Sequence, residues 1–324
     1  MRILITGIAG FVGQYLYKYI LENHPGVEIH GTILPHPEQN QFCSVNKEVV
    51  CHDCDIDNKM QVKKIIMAVK PDIIFHLAAQ SYVSSSWENP ELTLHTNIIG
   101  QSNLLEAVRQ LRDESFDPVI LIACSSEEYG PAKDGETPFK EESKLRPQSP
   151  YAISKIGQDF MGFQYWKSYG MKIIRIRAFN HTGPGRAAVF GLSNFAKKIA
   201  EIEAGKRKPE LETRDLSAIR DFTDVRDMVR AYWLAVKKCQ VGEVYNVCSG
   251  KGFSFQEMLD KLLSFAKVKA IKLIKDPRGI RPTDGGKIIG DNSKFQKATG
   301  WQVEIDFLNQ TLLEMLNYWR EVRF

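Results

Sequence analysis

RILITGIAGFVGQYLYKYILEN, residues 2–23, is the stretch on which the fold turns. Arg2 to Thr6 is a short apolar run, the type that forms a buried parallel strand. Gly7, Gly10 and Gly13 follow with the spacing G-x-x-G-x-x-G, and an amphipathic run begins behind them. Strand, glycine turn and helix in that order make a dinucleotide pyrophosphate site. The glycines permit a tight turn and close approach of backbone to ligand, and the helix N-terminus faces the phosphates. Alone, such a pattern is weak. At the first strand-to-helix turn of an alternating chain it is strong.

The next segments supply that alternation. Val27–Ile33 reads as a second strand. Its end normally separates the two nicotinamide cofactors, with an acid for a ribose 2′-hydroxyl or an arginine for a 2′-phosphate. The segment HGTILPHPEQ (30–39) has neither at the usual position. The missing carboxylate removes a repulsion against phosphate, which favours NADP(H) over NAD(H). Thr32 is placed with the cofactor. A third strand near Val49–Cys54 ends at Asp55-Ile56, with Asp57 as the expected cap of the helix that follows. The fourth, Pro71–Ala79, ends in Ala78 and Ala79, small enough for a cofactor to lie close. Asn89 and Pro90 open a helix expected to run through Asn97 to Arg112. The fifth strand ends in SSEEYG, Ser125 to Gly130. A helix from SPYAISK (149–155) runs to Gly170, and the sixth strand is KIIRIRAFN (172–180). Alternation over the first 180 residues or so predicts an α/β fold with a Rossmann-type doubly wound parallel sheet.

Beyond Asn180 the texture changes. HTGPGR (181–186) is a turn-rich crossing, SFQE (254–257) is a capping box, and DPRGIRPTDGGKIIGDNSK (276–294) is an irregular basic loop. Residues 1–179 and 221–247 are assigned to the dinucleotide-binding domain. Residues 180–220 and 248–324 are assigned to a smaller mixed α/β domain that covers the sheet's carboxyl edge and takes the substrate.

The chemistry is expected at Tyr151 and Lys155. Four residues apart on a helix, they project from one face. A phenol is a poor acid near neutrality, and an ammonium beside it is expected to lower its pKa. The two hydroxyls and two acids of Ser125–Glu128 lie at a strand's carboxyl end, where ligands of such sheets bind.

Composition excludes several classes. Hydrophobic residues are 43% and charged residues 25%, ordinary for a globular protein. A net charge of +4, with scattered basic residues, gives no nucleic-acid patch. No signal peptide and no apolar run long enough for a bilayer is read, so the expected compartment is the cytoplasm. The six cysteines do not suggest a secreted scaffold. CHDC (51–54) lacks the second pair a zinc ribbon needs and is read as structural, leaving no metal site.

GIAGFVG, DI (55–56), HLAA, NIIG, SSEEYG, YAISK, AFNHTGPG, RDFTDVRD, EVYNVCSG and RPTD occur in family order along essentially the whole chain. Together they resemble the extended short-chain dehydrogenase/reductase family of nucleotide-sugar enzymes. The resemblance is strongest to its GDP-4-dehydro-6-deoxy-D-mannose reductase branch, because Ser125-Ser126-Glu127 and Phe222 stand where the related 4,6-dehydratases have Thr-Ser-Glu and tryptophan. It implies reduction of the C4 ketone of a GDP-4-keto-6-deoxy sugar, with dehydration or epimerisation on the same scaffold as the alternative. It also implies a catalytic set of Ser125, Glu127, Tyr151 and Lys155. Gly7, Gly10, Phe11, Val12, Gly13, Asp55, Ile56, Leu77, Ala78, Ala79, Tyr151, Lys155 and His181 would line the cofactor. Ser126, Glu127, Asn180, Arg186, Lys198, Arg220, Arg281 and Asp284 would meet the GDP-sugar. A homodimer through the helices at about 90–112 and 150–169 is expected by the same analogy.

Overall fold

The computed structural model describes residues 1–276 and 285–322. The chain alternates as β1 (Arg2–Thr6), α1 (Phe11–Asn23), β2 (Glu28–Ile33), α2 (Pro37–Val45), β3 (Val49–Asp53), α3 (Lys59–Val69) and β4 (Ile73–His76). It continues with α4 (Val83–Glu88), α5 (Pro90–Leu94), α6 (Gly100–Leu111), β5 (Val119–Ser125), α7 (Pro150–Tyr169) and β6 (Ile173–Ala178). Next come β7 (Asn180–Thr182), α8 (Gly191–Glu203), β8 (Glu210–Thr213), β9 (Ile219–Asp224), α9 (Val225–Lys238) and β10 (Val244–Val247). The last elements are β11 (Gly252–Ser254), α10 (Phe255–Ser264), β12 (Lys272–Lys275), β13 (Lys287–Ile288), α11 (Ser293–Thr299) and α12 (Leu312–Glu321).

The main sheet has seven strands in the order β10-β6-β5-β4-β1-β2-β3, all parallel. The chain reverses direction across the sheet between β1 and β4, so a crevice opens at their carboxyl ends, where such sheets take ligands. One face is covered by α1 and α9 around Ile5, Leu16, Val229 and Tyr232, the other by α3, α6 and α7 around Leu4, Ile66, Leu105 and Ile122. This is the doubly wound arrangement that the alternation predicted.

The smaller part is built from short pieces. β9 pairs with β7, β11 and β13, and β8 pairs with β12. Its core gathers Phe195, Ile199, Leu259, Phe307 and Leu316 from α8, α10, α12 and the turn before α12. The expected domain boundary at residue 221 falls inside β9.

Local details differ from the sequence reading in three places. The cap of α3 is Asn58, whose side chain accepts from the Met60 and Gln61 amides, while Asp57 uses its own amide on Asp55. The helix expected over 90–112 is interrupted by a π-helical turn at His95–Ile99. That turn carries Asn97, whose side chain clamps both the amide and the carbonyl of Gln80 and donates to Ser154 Oγ. Cys43 and Cys51 are joined in a disulfide that ties α2 to β3, a pairing the cysteine spacing had not suggested.

Candidate active site

The glycine turn can be tested residue by residue. Gly7 has φ +70°, and a Cβ there would meet the Ala78 backbone at 3.0 Å. A Cβ on Gly13 would lie 2.5 Å from the Ile8 carbonyl oxygen. No side chain fits either position, so the backbone stays bare where a pyrophosphate would approach the start of α1. The turn is tied to its neighbours by hydroxyls. Thr32 Oγ1 accepts from the Gly7 amide at 3.1 Å. Thr6 Oγ1 accepts from the Leu77 and Ala78 amides and bonds His76 Nδ1 at 3.0 Å. His76 is buried, and burial first, then Lys155, lowers its pKa to about 3, so the ring is neutral.

A cavity of about 760 Å³ opens above this turn. It is lined by all the residues assigned to the cofactor from sequence: Gly7, Gly10, Phe11, Val12, Gly13, Thr32, Asp55, Ile56, Leu77, Ala78, Ala79, Tyr151, Lys155 and His181. The bare turn, the small residues opposite it and this volume fit a dinucleotide.

At the other end of the cavity, β5 delivers Ser125 and α7 delivers Tyr151 and Lys155. Ser149 caps α7, and Pro150 takes its first position, which fixes where Tyr151 emerges. Ser125 Oγ accepts from the Glu127 amide at 3.2 Å and faces the Tyr151 hydroxyl, whose pKa it helps to lower. Lys155 Nζ donates to the Ala123 carbonyl at 2.8 Å and stands 5.8 Å from the Tyr151 ring centre.

The electrostatics correct one expectation. Tyr151 is not an acidified phenol here. Burial raises its pKa well above the usual value, the bond from Ser125 opposes this, Glu127 and Glu128 add to it, and Arg186 opposes it. Burial also lowers the pKa of Lys155. Desolvation outweighs the neighbouring cations, so the phenol holds its proton. Arg186, assigned to the site by the family resemblance, lines the cavity. Its guanidinium lies 3.5 Å from the Phe190 ring centre and 4.8 Å from that of Phe11, and burial lowers its pKa to about 10. His181, bonded through Nδ1 to the Phe179 carbonyl, is lowered to about 4 by burial and then Arg186.

The residues assigned to substrate divide. Glu127, Asn180 and Arg186 line the cavity. Ser126 is buried in the turn after β5, outside the lining. Lys198, on α8, pairs with Glu212 at 3.8 Å and is also outside it. Arg220, on β9, donates to the Ile219, Gly285 and Gly286 carbonyls rather than lining the cavity. Arg281 and Asp284 lie outside the described residues. The lining also holds Gln39, Phe190, Tyr232 and Phe255, which carry no motif.

Residues 4–315 match the family model described as GDP-mannose 4,6 dehydratase. The chain belongs to that family. The GDP-mannose 4,6-dehydratase family match is joined by 30% identity over 318 residues to the GDP-6-deoxy-D-mannose reductase of Pseudomonas aeruginosa, covering 98% of this chain and 97% of that protein. The GDP-mannose 4,6-dehydratase of Vibrio cholerae is also 30% identical, over 94% of this chain and 90% of its own. Among solved structures, RMD from Pseudomonas aeruginosa complexed with NADPH superposes with TM-score 0.85 at 29% identity, covering 98% of both chains. UDP-glucose 4-epimerase of Thermus thermophilus, in complex with NAD, gives TM-score 0.85 at 28% identity over all of both chains. Family membership makes this an oxidoreductase-type nucleotide-sugar enzyme on the extended short-chain dehydrogenase/reductase fold, a group that holds both reductases and dehydratases.

Proposed function

We propose that this protein reduces the C4 ketone of GDP-4-keto-6-deoxy-mannose to GDP-D-rhamnose, with NADP(H) favoured over NAD(H). The observation that carries the reading is a buried phenol at Tyr151, its pKa raised by burial, facing Ser125 in the wall of the cavity that the glycine turn also lines. Reduction of a ketone needs a proton donor at the oxygen, and a phenol that keeps its proton fills that role. The similarity to the Pseudomonas aeruginosa reductase over nearly the full length supports the choice.

The dinucleotide, when bound, supplies the hydride for C4. The rest is done by the chain. With Oγ held by the Glu127 amide, Ser125 turns its own proton from Tyr151 to the ketone oxygen when the sugar binds. Tyr151 donates its proton to that oxygen as charge develops there. Lys155, anchored on Ala123, supplies a cation beside the phenolate that results. Asn180, Arg186 and Glu127 hold the sugar nucleotide in register, which contributes through proximity.

Glu127 carries the second reading. Its carboxylate lines the cavity, which supports this reading because a 4,6-dehydratase needs a base for the C5 proton. One assay separates the two. Protein mixed with NADPH and the keto sugar should consume one equivalent of NADPH per sugar. If GDP-mannose alone is instead converted to a keto sugar without net loss of cofactor, the reductase reading fails and the dehydratase reading stands.

The same reading includes a homodimer. Ile99, Ile153, Phe160 and Phe163 are exposed apolar residues on or next to α6 and α7, the helices expected to pair. Sedimentation should give twice the monomer mass, and Phe160→Glu should halve it. A monomeric wild type would end that part.

A further inference from the structure

Directly behind Ser125 lies a buried ionic cluster that the proposed chemistry does not use. Glu128 and Asp159 are both fully buried, and Arg177 and Arg175 are 4% and 6% exposed. Arg175 Nη1 donates to Asp159 Oδ1 at 2.6 Å, and Arg177 Nε donates to Asp159 Oδ2 at 2.8 Å. Arg177 Nε also stands 3.2 Å from Glu128 Oε2. The far end of the cluster is closed by Arg177 Nη1 on Tyr129 Oη at 3.0 Å and by Tyr129 on Asn246 at 2.7 Å. Donor atoms of Cys124, Glu128 and Asp159 lie within 4.8 Å of one another, a spacing a metal could use. The two guanidiniums already occupy the carboxylates, so the cluster reads as an ion network instead.

Burying such a network is expensive, and well-packed apolar residues often do as well or better. What the cluster gains is a single bond toward the site. Glu128 Oε1 accepts from the Ser125 amide at 2.8 Å. That bond and the Glu127 amide on Ser125 Oγ fix both ends of Ser125 as β5 turns into the 3₁₀ turn Ser126–Glu128. Burial, and next the neighbouring Asp159, raise the Glu128 pKa well above its ordinary value, and Arg177 opposes them. One carboxyl oxygen of Glu128 thus faces Ser125, and the other faces Arg177 and the network behind it.

We propose that Glu128 is a positioning residue, whose carboxyl holds the Ser125 backbone so that Oγ stays on the Tyr151 hydroxyl. The proposal rests on the assignment of Ser125 to the reaction made above. A displacement of about 1 Å at a reacting group can cost about 100-fold in rate, and the variants should show a loss of that kind. Glu128→Leu removes the acceptor; kcat should fall roughly 10- to 100-fold while KM and the NADPH dissociation constant stay within about 2-fold. Glu128→Gln keeps an oxygen for the Ser125 amide at the same reach, and should recover kcat to within about 3-fold of wild type. Glu128→Asp keeps a carboxyl for Arg177 but falls short of Ser125. It should behave like the leucine variant with a melting temperature near wild type, which covers the case where Glu128→Leu does not fold. A folded leucine or aspartate variant with wild-type kcat, or a glutamine variant as impaired as leucine, overturns the proposal. Crystal structures of the folded variants test it without turnover. Ser125 Oγ should leave hydrogen-bond distance of Tyr151 in the leucine or aspartate variant and keep it in the glutamine variant. An unmoved Ser125 refutes the proposal whatever reaction the wild type catalyses.

Discussion

The two ends of the cavity are made of different material. Near the glycine turn the wall is backbone and small side chains: Gly7, Gly10, Ala78 and Ala79. The rest of the wall is polar and titratable side chains: Ser125, Glu127, Tyr151, Lys155, His181 and Arg186, the last reaching across to Phe11 at the start of α1. The first end selects by shape, and its cost is the entropy of glycine in the unfolded chain. The second selects by charge, and its cost is desolvation, visible in the shifted pKa values of Tyr151, Lys155, His181 and Arg186. Binding and turnover should therefore be separable by mutation.

The sharpest way to break that division is Lys155→Met. Kinetics should show kcat reduced by about 100-fold or more, in the range of lost acid–base function, with NADPH affinity changed by only a few fold. A pure binding defect would blur the two ends. At the opposite end, Gly13→Ala drives a Cβ into the Ile8 carbonyl. Titration of NADPH fluorescence should show affinity reduced by about 10-fold or more, with about 2 kcal/mol of stability lost to overpacking; kcat at saturation should change little. Arg186→Gln removes a cation that lowers the Tyr151 pKa. A loss of about 10-fold in kcat/KM is expected, with the alkaline limb of the pH profile moved upward; a downward move contradicts the assigned sign.

His76 sharpens the comparison through stability. Its folded pKa, about 3, lies below the ordinary value of 6.5. The unfolded chain takes up the proton first as the solution is acidified, so stability is lost as pH falls through the window from 6.5 toward 3. Between about pH 7.5 and about pH 5 this group alone should cost about 2 kcal/mol, and denaturant melts should show that slope reduced in His76→Gln. Lys198→Ala should do least. Its partner Glu212 is exposed, and the pair lies off the cavity, so KM should stay within about 2-fold.

Legibility followed the same division. The dinucleotide end was readable because each signal is local: an apolar run, glycines at fixed spacing, a helix start, small residues ending β4. Tyr151 and Lys155 were readable for the same reason, being one turn apart on α7. The smaller region was not. Its strands β7, β9, β11 and β13 are two to six residues long and pair across long sequence separations, so no periodicity announces them. Lys198 and Arg220 show the consequence for single residues. The family resemblance suggested sugar-nucleotide ligands; in the structure Lys198 pairs with Glu212, and Arg220 donates to the Ile219 and Gly286 carbonyls among its contacts. The sign of the Tyr151 shift was hidden because proximity of an ammonium is written in the sequence and depth of burial is not. Glu128 looked like part of a polar loop, and only the packing of Asp159 and Arg177 behind it shows where its carboxyl goes.

Tyr151→Phe bears most directly on the central claim, because it removes the hydroxyl and keeps the ring. Measured side by side with wild type on NADPH and the keto sugar, the variant should bind NADPH within about 3-fold of wild type and turn over at least about 1,000-fold more slowly. Turnover within a few fold of wild type, in a variant shown to be folded and loaded, would contradict the assignment of the proton to this phenol.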